Sequence, residues 1–150
     1  MDNEQSTMTL KSIGIVRNEL KQASVRRDRW EVVSEIVIDS SLTEALYGLE
    51  DFSHIIVIYW THLAVIDELP LKIHPRGNPK LPLVGRFATR SPSRPNRVAQ
   101  TTVRLLQCKG NILRVEGLDA LDGSPVIDIK PYLPGDDSVV DAKVPQWITD

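Results

Sequence analysis

The chain has 150 residues, 41% of them hydrophobic and 25% charged, with a formal net charge of −2 and a single cysteine. That length and balance predict one domain, residues 1–150, with a sizeable core, and they exclude a disordered or low-complexity chain. The lone Cys108 excludes an internal disulfide and a multi-cysteine zinc site, MDNEQSTMTLKS at the start has no signal-like apolar stretch, and IIVIYW at 55–60 is too short to span a bilayer, so a reduced, cytoplasmic setting is expected.

KSIGIVR at 11–17 is short and β-branched and reads as a strand. WEVVSEIVID at 30–39 reads as a second, with Val33, Glu35 and Val37 on one face and Val32, Ile36 and Ile38 nearer the other. SLTEALYGLED predicts a short helix, with Ser41 as N-cap, Glu44 three residues on as in a capping box, and Gly48 as the stop. FSHIIVIYW has no alternation and predicts a central strand covered on both faces. Residues 69–82 hold four prolines and a Gly-Asn pair and read as a long loop. In RFATRSPSRPNR (86–97), Pro92 and Pro95 push Ser91 and Arg94 out of helical space, so the chain leaves a strand near Arg86 and Phe87 and continues as a stiff extended loop. VAQTTVRLLQC and NILRVEGL flank Lys109-Gly110 and predict a hairpin. A turn at Asp122-Gly123, a short strand VIDIK and an irregular tail with Pro134, Gly135 and Pro145 complete the chain. These elements point to a mainly β barrel or sandwich with one small helix, and no glycine-rich strand-to-helix fingerprint signals a Rossmann site.

Charge is segregated along this layout. Residues 1–68 carry 12 acidic and 6 basic side chains, residues 69–115 carry 10 basic and no acidic ones, and residues 116–150 carry 8 acidic and 2 basic ones. Solvated segments whose charges intermingle on folding are one reading; a patch facing a polyanion is the other, because clustered guanidinium groups are the footprint of phosphate binding. For the arginine-rich loop itself, the rival to anion binding is pairing with the protein's own acidic ends. Asp119, Asp122 and Asp128 lie near Lys130 and Tyr132, a set able to hold ribose hydroxyls or an ammonium; magnesium chelation and a plain Asx turn are the rivals, the turn being the better reading for Asp119. His54, His62 and His74 lack zinc spacing; His54 reads as structural and His62, just past the apolar strand, as ligand-facing.

SIGIVRN, GLEDFSHIIVIYW, GRFATRSPSRPN and LDALDGSPVIDIKPY, long and in this order, resemble the TsaA-like (TrmO) family over nearly the whole chain. The resemblance implies a small antiparallel β-barrel with one or two short helices and long Pro-rich loops, acting as a homodimer with its cofactor near the subunit interface. It implies an S-adenosyl-L-methionine-dependent methyltransferase acting on N6 of threonylcarbamoyladenosine beside the tRNA anticodon, with no metal and no membrane. By the same resemblance His62, Leu63, Phe87, Arg90, Gln100, Ala120, Leu121, Asp122 and Gly123 fall at the cofactor. Arg86, Arg94 and Arg97 become candidates for RNA binding, Lys130 for RNA phosphate or the modified base, and Asp128, Lys130 and Tyr132 for the catalytic polar groups. A module of the same fold that binds cofactor or RNA without methylating tRNA, or one methylating another substrate, is the alternative. The chain departs from the family at Arg97, Val98 and Ala99, where members read PIG after Pro-Asn, and at VRRDRWEV, where a proline- and glutamine-containing motif is expected.

Overall fold

A strand with one apolar face must bury that face, and a sheet that closes on itself does so while leaving no edge unpaired. The structure, a computed structural model, describes residues 6–20, 29–64 and 68–149. Its strands are β1 (Gly14–Arg17), β2 (Val33–Ile38), β3 (His54–Trp60), β4 (Lys72–Ile73), β5 (Val84–Gly85), β6 (Val98–Lys109), β7 (Ile112–Glu116) and β8 (Pro125–Pro131). Six of them form a closed antiparallel barrel in the order β1-β2-β7-β6-β3-β8, and β4 pairs with β5 as a separate ribbon. Two four-residue helices, α1 (Pro134–Asp137) and α2 (Gln146–Thr149), sit in the tail. No helix among the described residues is long and apolar enough to cross a membrane. The mainly β barrel with few short helices is thus the observed architecture.

The barrel is filled by alternate residues of each strand: Val16, Ile36, Ile38, Ile55, Val57, Tyr59, Val103, Leu113, Val115 and Val126, with Leu118 from the loop after β7. Two sequence expectations give way here. β3 is not covered on both faces: Ile55, Val57 and Tyr59 are buried, while Ile56, Ile58 and Trp60 are only half-buried on the outside. The missing polar alternation reflects an apolar outer face, not a second layer. The stretch 40–46 is a 3₁₀ segment capped by Asp39, whose carboxylate accepts from the Ser41 backbone N–H at 2.9 Å and hydroxyl at 2.6 Å; Ser41 is therefore not the cap. Those two hydrogen bonds hold the Asp39 carboxyl below its ordinary range, so the cap acts at neutral pH and is lost as pH falls through that lowered value. Gly48, at φ +85°, ends the segment as expected. The long loop at 69–82 contains β4, and the predicted first strand begins only at Gly14. The hairpin at Lys109-Gly110 is present as β6 and β7.

Closure rests on a narrow approach at Gly14, where β1 meets both β2 and β8. A Cβ placed there would lie 2.5 Å from the Val37 carbonyl oxygen, a backbone atom that cannot step aside. Gly14→Ala is accordingly expected to cost about 1–3 kcal/mol by overpacking, read as a lowered denaturant midpoint with an unchanged m-value; a midpoint equal to that of the parent protein would contradict this closure geometry.

Candidate functional site

Up-and-down connectivity places alternate loops at the same end of a barrel. The ends of β1, β3 and β7 and the starts of β2, β6 and β8 meet at one end, as the ladder pairs Arg17↔Glu35, Trp60↔Val98 and Val33↔Glu116 show. The turn after β3, the arginine-rich loop before β6 and the β7–β8 loop are therefore brought together although they are up to some 60 residues apart in sequence. They open onto a groove of about 1620 Å³ whose lining includes Trp30, Ile58, His62, Leu63, Arg90, Arg94, Gln100, Leu121 and Tyr132.

The turn after β3 is tied to the arginine-rich loop. The Thr61 amide donates to the Arg97 carbonyl at 2.9 Å, and its hydroxyl reaches the Pro92 and Arg97 carbonyls. His62 follows, half-buried, with Nδ1 buried and without a hydrogen-bond partner among the described residues. Its Nε2 faces the β7–β8 loop: a Cβ built on Gly123 would lie 3.5 Å from it, and Gly123 itself has φ +84°, a conformation natural only to glycine. The β7–β8 loop is fixed from three sides. The Tyr59 hydroxyl, rising from the core, donates to the Asp119 carbonyl at 2.7 Å, which leaves Thr101 as the donor across the 3.2 Å contact to Tyr59. Ser124, 2% exposed, donates its hydroxyl to the Leu121 carbonyl at 2.6 Å. Backbone bonds join Asp122 to Leu20 and Gly123 to Val16.

The arginines of 86–97 divide by what their guanidinium groups do. Arg86 donates to the Pro70 and Ser93 carbonyls at 2.7 and 3.0 Å. Arg94 donates to the Thr89 and Ser91 carbonyls and stands 6.0 Å over the Phe87 ring. Arg97 donates to the Ala64 carbonyl and lies 5.3 Å over Trp60. These three satisfy backbone carbonyls, at Thr89, Ser91 and Ser93 in the proline-rich loop itself and at Pro70 and Ala64 in the segments beside it. Arg90 is exposed, lines the groove and has no hydrogen bond or ion pair among the described residues.

Of the residues expected at the cofactor, His62, Leu63, Arg90, Gln100 and Leu121 line the groove; Ala120, Asp122 and Gly123 form the loop behind that lining, with Ala120 2% exposed. Phe87 is 82% exposed and lies outside the lining. Asp128 and Lys130 share the outer face of β8, where Ile58 pairs with Asp128 and Ile56 with Lys130, and Tyr132 follows the strand's last residue. Tyr132 reaches the groove and packs edge-on against His54, whose Nδ1 shares a 2.7 Å hydrogen bond with the Ser53 hydroxyl. Lys130 and Asp128 form a 2.9 Å ion pair, both partners substantially exposed. Residues 25–28 of the VRRDRW segment lie outside the described residues. Among the described residues, no group of three or more His, Cys, Asp or Glu side chains could hold a metal ion. Thr61, Tyr59 and Asn18, which brace the loops, are ordinary strand or turn residues by type; Asn18 and Tyr59 fall within the SIGIVRN and GLEDFSHIIVIYW segments, but nothing in the sequence singles them out there.

Residues 21–138 match the model of the tRNA-methyltransferase O N-terminal domain. A "probable S-adenosyl-L-methionine-binding protein" of Methanothermobacter thermautotrophicus is 48% identical over 133 residues, covering 87% of this chain and 93% of that protein. An S-adenosyl-L-methionine-binding protein of Archaeoglobus fulgidus is 44% identical over 135 residues, covering 88% and 94%. The crystal structure of TrmO from Pseudomonas aeruginosa superimposes with a TM-score of 0.76 at 34% identity, and a second TrmO crystal structure with 0.75 at 33%. In each case 93% of this chain is covered, and it spans only 62–64% of the longer solved chain.

The division among the arginines has a measurable consequence. Arg94→Ala is expected to lower stability by about 1–2 kcal/mol through two unpaired carbonyls, while Arg90→Ala stays within about 0.5 kcal/mol of the parent protein. Thermal and denaturant unfolding of both variants checks this; equal losses would contradict the division.

Proposed function

This chain belongs to the tRNA-methyltransferase O N-terminal domain family, and on that premise we propose that it binds S-adenosyl-L-methionine in the groove and methylates N6 of threonylcarbamoyladenosine beside a tRNA anticodon. The observation that carries the reading is the convergence of His62 and Leu63, Arg90, Gln100 and Leu121, from three loops and a strand, on one concave surface. The donor set fits the cofactor. Arg90, without a partner among the described residues, suits a carboxylate; His62 and the rim of the β7–β8 loop suit ribose and base; and half-buried Ile58 and Leu121 offer apolar contact. Bound there, S-adenosyl-L-methionine would supply a methyl group activated by its sulfonium.

The chain's own part is positioning and electrostatics. Transfer of that methyl group to N6 would leave S-adenosyl-L-homocysteine and release one proton from N6, and the chain's residues would hold the two reactants in line. Tyr132, just past β8, lines the groove and offers a hydroxyl to the acceptor nucleotide, whereas Asp128 and Lys130 neutralise each other and suit RNA positioning. Arg86, Arg94 and Arg97 shape the RNA-facing loop, and Arg94, with donors to spare beyond Nη1, adds charge inside the groove. A groove of about 1620 Å³ exceeds what one small ligand fills, which supports entry of a nucleotide as well. The half-buried outer face of β3, Ile56 and Ile58, is continuous with Gln100 and Thr102 in the groove lining, so a homodimer meeting at the edge of this face would place the cofactor beside the subunit interface. A cofactor-binding module without tRNA methylation is the second reading, favoured by the ion pair that occupies two of the three candidate polar groups, Asp128 and Lys130.

Purified protein incubated with S-adenosyl-L-methionine and tRNA bearing threonylcarbamoyladenosine is expected to yield nucleosides heavier by one methyl group, read by mass spectrometry. Bound cofactor with an unchanged nucleoside would favour the second reading. Arg90→Ala is expected to weaken cofactor binding by about tenfold or more, the loss of one charge-assisted contact.

A further inference from the structure

We infer that Asn18 is the positioning residue of the cofactor groove: its side chain clamps the β7–β8 loop to the end of β1. The inference deepens the cofactor reading above and rests on it. Asn18 makes four hydrogen bonds that join three parts of the chain. Its Nδ2 donates to the Ala120 carbonyl at 2.8 Å and to the Ser34 hydroxyl at 2.9 Å. Its Oδ1 accepts from the Leu20 amide at 2.9 Å, an Asx turn that bends the chain out of β1. Its own amide donates to Oδ1 of Asp122 at 2.9 Å.

Every N–H and the carbonyl oxygen of this side chain are thus engaged, and two of the partners are deeply buried: Ser34 is 1% exposed and Ala120 2%. Removing the amide would orphan the Ala120 carbonyl inside the protein, where the loop can regain a partner only by moving outward. The loop that would move carries Leu121 into the groove lining and holds Gly123 beside His62. Leu20, bent into place by Oδ1 and bonded through its carbonyl to the Asp122 amide at 2.7 Å, also lines the groove. One short side chain therefore sets both walls of the groove at this corner, without itself lining it.

The test uses Asn18→Ala and Asn18→Asp, the latter keeping the size and the acceptor oxygen but losing both donors. Val103→Ala, a core truncation in β6 away from the loop, serves as the stability control. Calorimetric titration with S-adenosyl-L-homocysteine is expected to show about tenfold weaker binding in both Asn18 variants, against a change within about twofold in the control. Amide hydrogen exchange should accelerate at Leu20, Asp122 and Gly123 in the Asn18 variants alone. Parental affinity in the Asn18 variants, an equal loss in Val103→Ala, or unchanged exchange at those amides would overturn the inference. If neither Asn18 variant folds, the residue serves stability and the inference also fails. Should the parent protein itself bind no S-adenosyl-L-homocysteine, the cofactor reading fails, and exchange alone decides whether Asn18 positions the loop: acceleration upholds it and no change overturns it.

Discussion

The seam between β1 and β8 is the constraint on which the rest of the molecule depends. A barrel has no free edge only if its last strand finds its first, and here the ladder itself supplies just two residue pairs, Gly14↔Val126 and Ile15↔Pro125. Pro125 brings no N–H to the second pair. The seam continues past the strands instead: Val16 donates to the Ser124 carbonyl, Gly123 donates to the Val16 carbonyl, and Asp122 donates to that of Leu20. Closing the barrel and shaping the β7–β8 loop are therefore the same set of hydrogen bonds. A loop fixed by the sheet's own closure presents its groove residues with little ordering left to do on binding, which is how a rigid scaffold serves a site built on loops.

The arginine-rich loop solves a different problem. Pro92 and Pro95 prevent a ladder from forming along it, so its carbonyls need donors from elsewhere. Arg86 and Arg94 provide them at Thr89, Ser91 and Ser93, while Arg97 donates to the Ala64 carbonyl and so joins the loop to the turn carrying His62. At 97–99, where the family commonly has proline, isoleucine and glycine, this chain thus has a side-chain brace in place of backbone stiffness. Positive charge gathered this way has two uses at once: it satisfies the backbone, and it leaves a local field that favours an anionic partner beside Arg90, which has no partner among the described residues.

How much of this could be read from the sequence follows from the range of each interaction. The β6–β7 hairpin and the stop at Gly48 were legible because a glycine beside a strand or helical end decides them locally. The cap was misread by two residues, since Asp39 and Ser41 offer similar chemistry and only the turn geometry chooses. The outer face of β3 was misread because Ile56, Ile58 and Trp60 are as apolar as the residues that fill the core. For the site, residue types and spacing suggested anion binding at 86–97, and the family resemblance pointed to His62, Leu63, Gln100 and Leu121. That three of the four arginines bond to carbonyls was not legible, because a count of charges does not show which backbone groups lack partners. The bracing role of Asn18 was not legible either: three of its four partners lie 16 to 104 residues away.

Fold, seam and the loop end of the groove meet at one end of the barrel, and the account stands or falls on whether the cofactor binds there. Amide chemical-shift mapping of the isotope-labelled protein during titration with S-adenosyl-L-homocysteine tests this most directly. The account predicts saturable shifts concentrated at His62, Leu63, Gln100, Leu121 and Gly123, with Gly110 and Asn111 at the opposite end unmoved. Shifts concentrated at the Gly110 turn, or none at the β7–β8 loop on saturation, would contradict it.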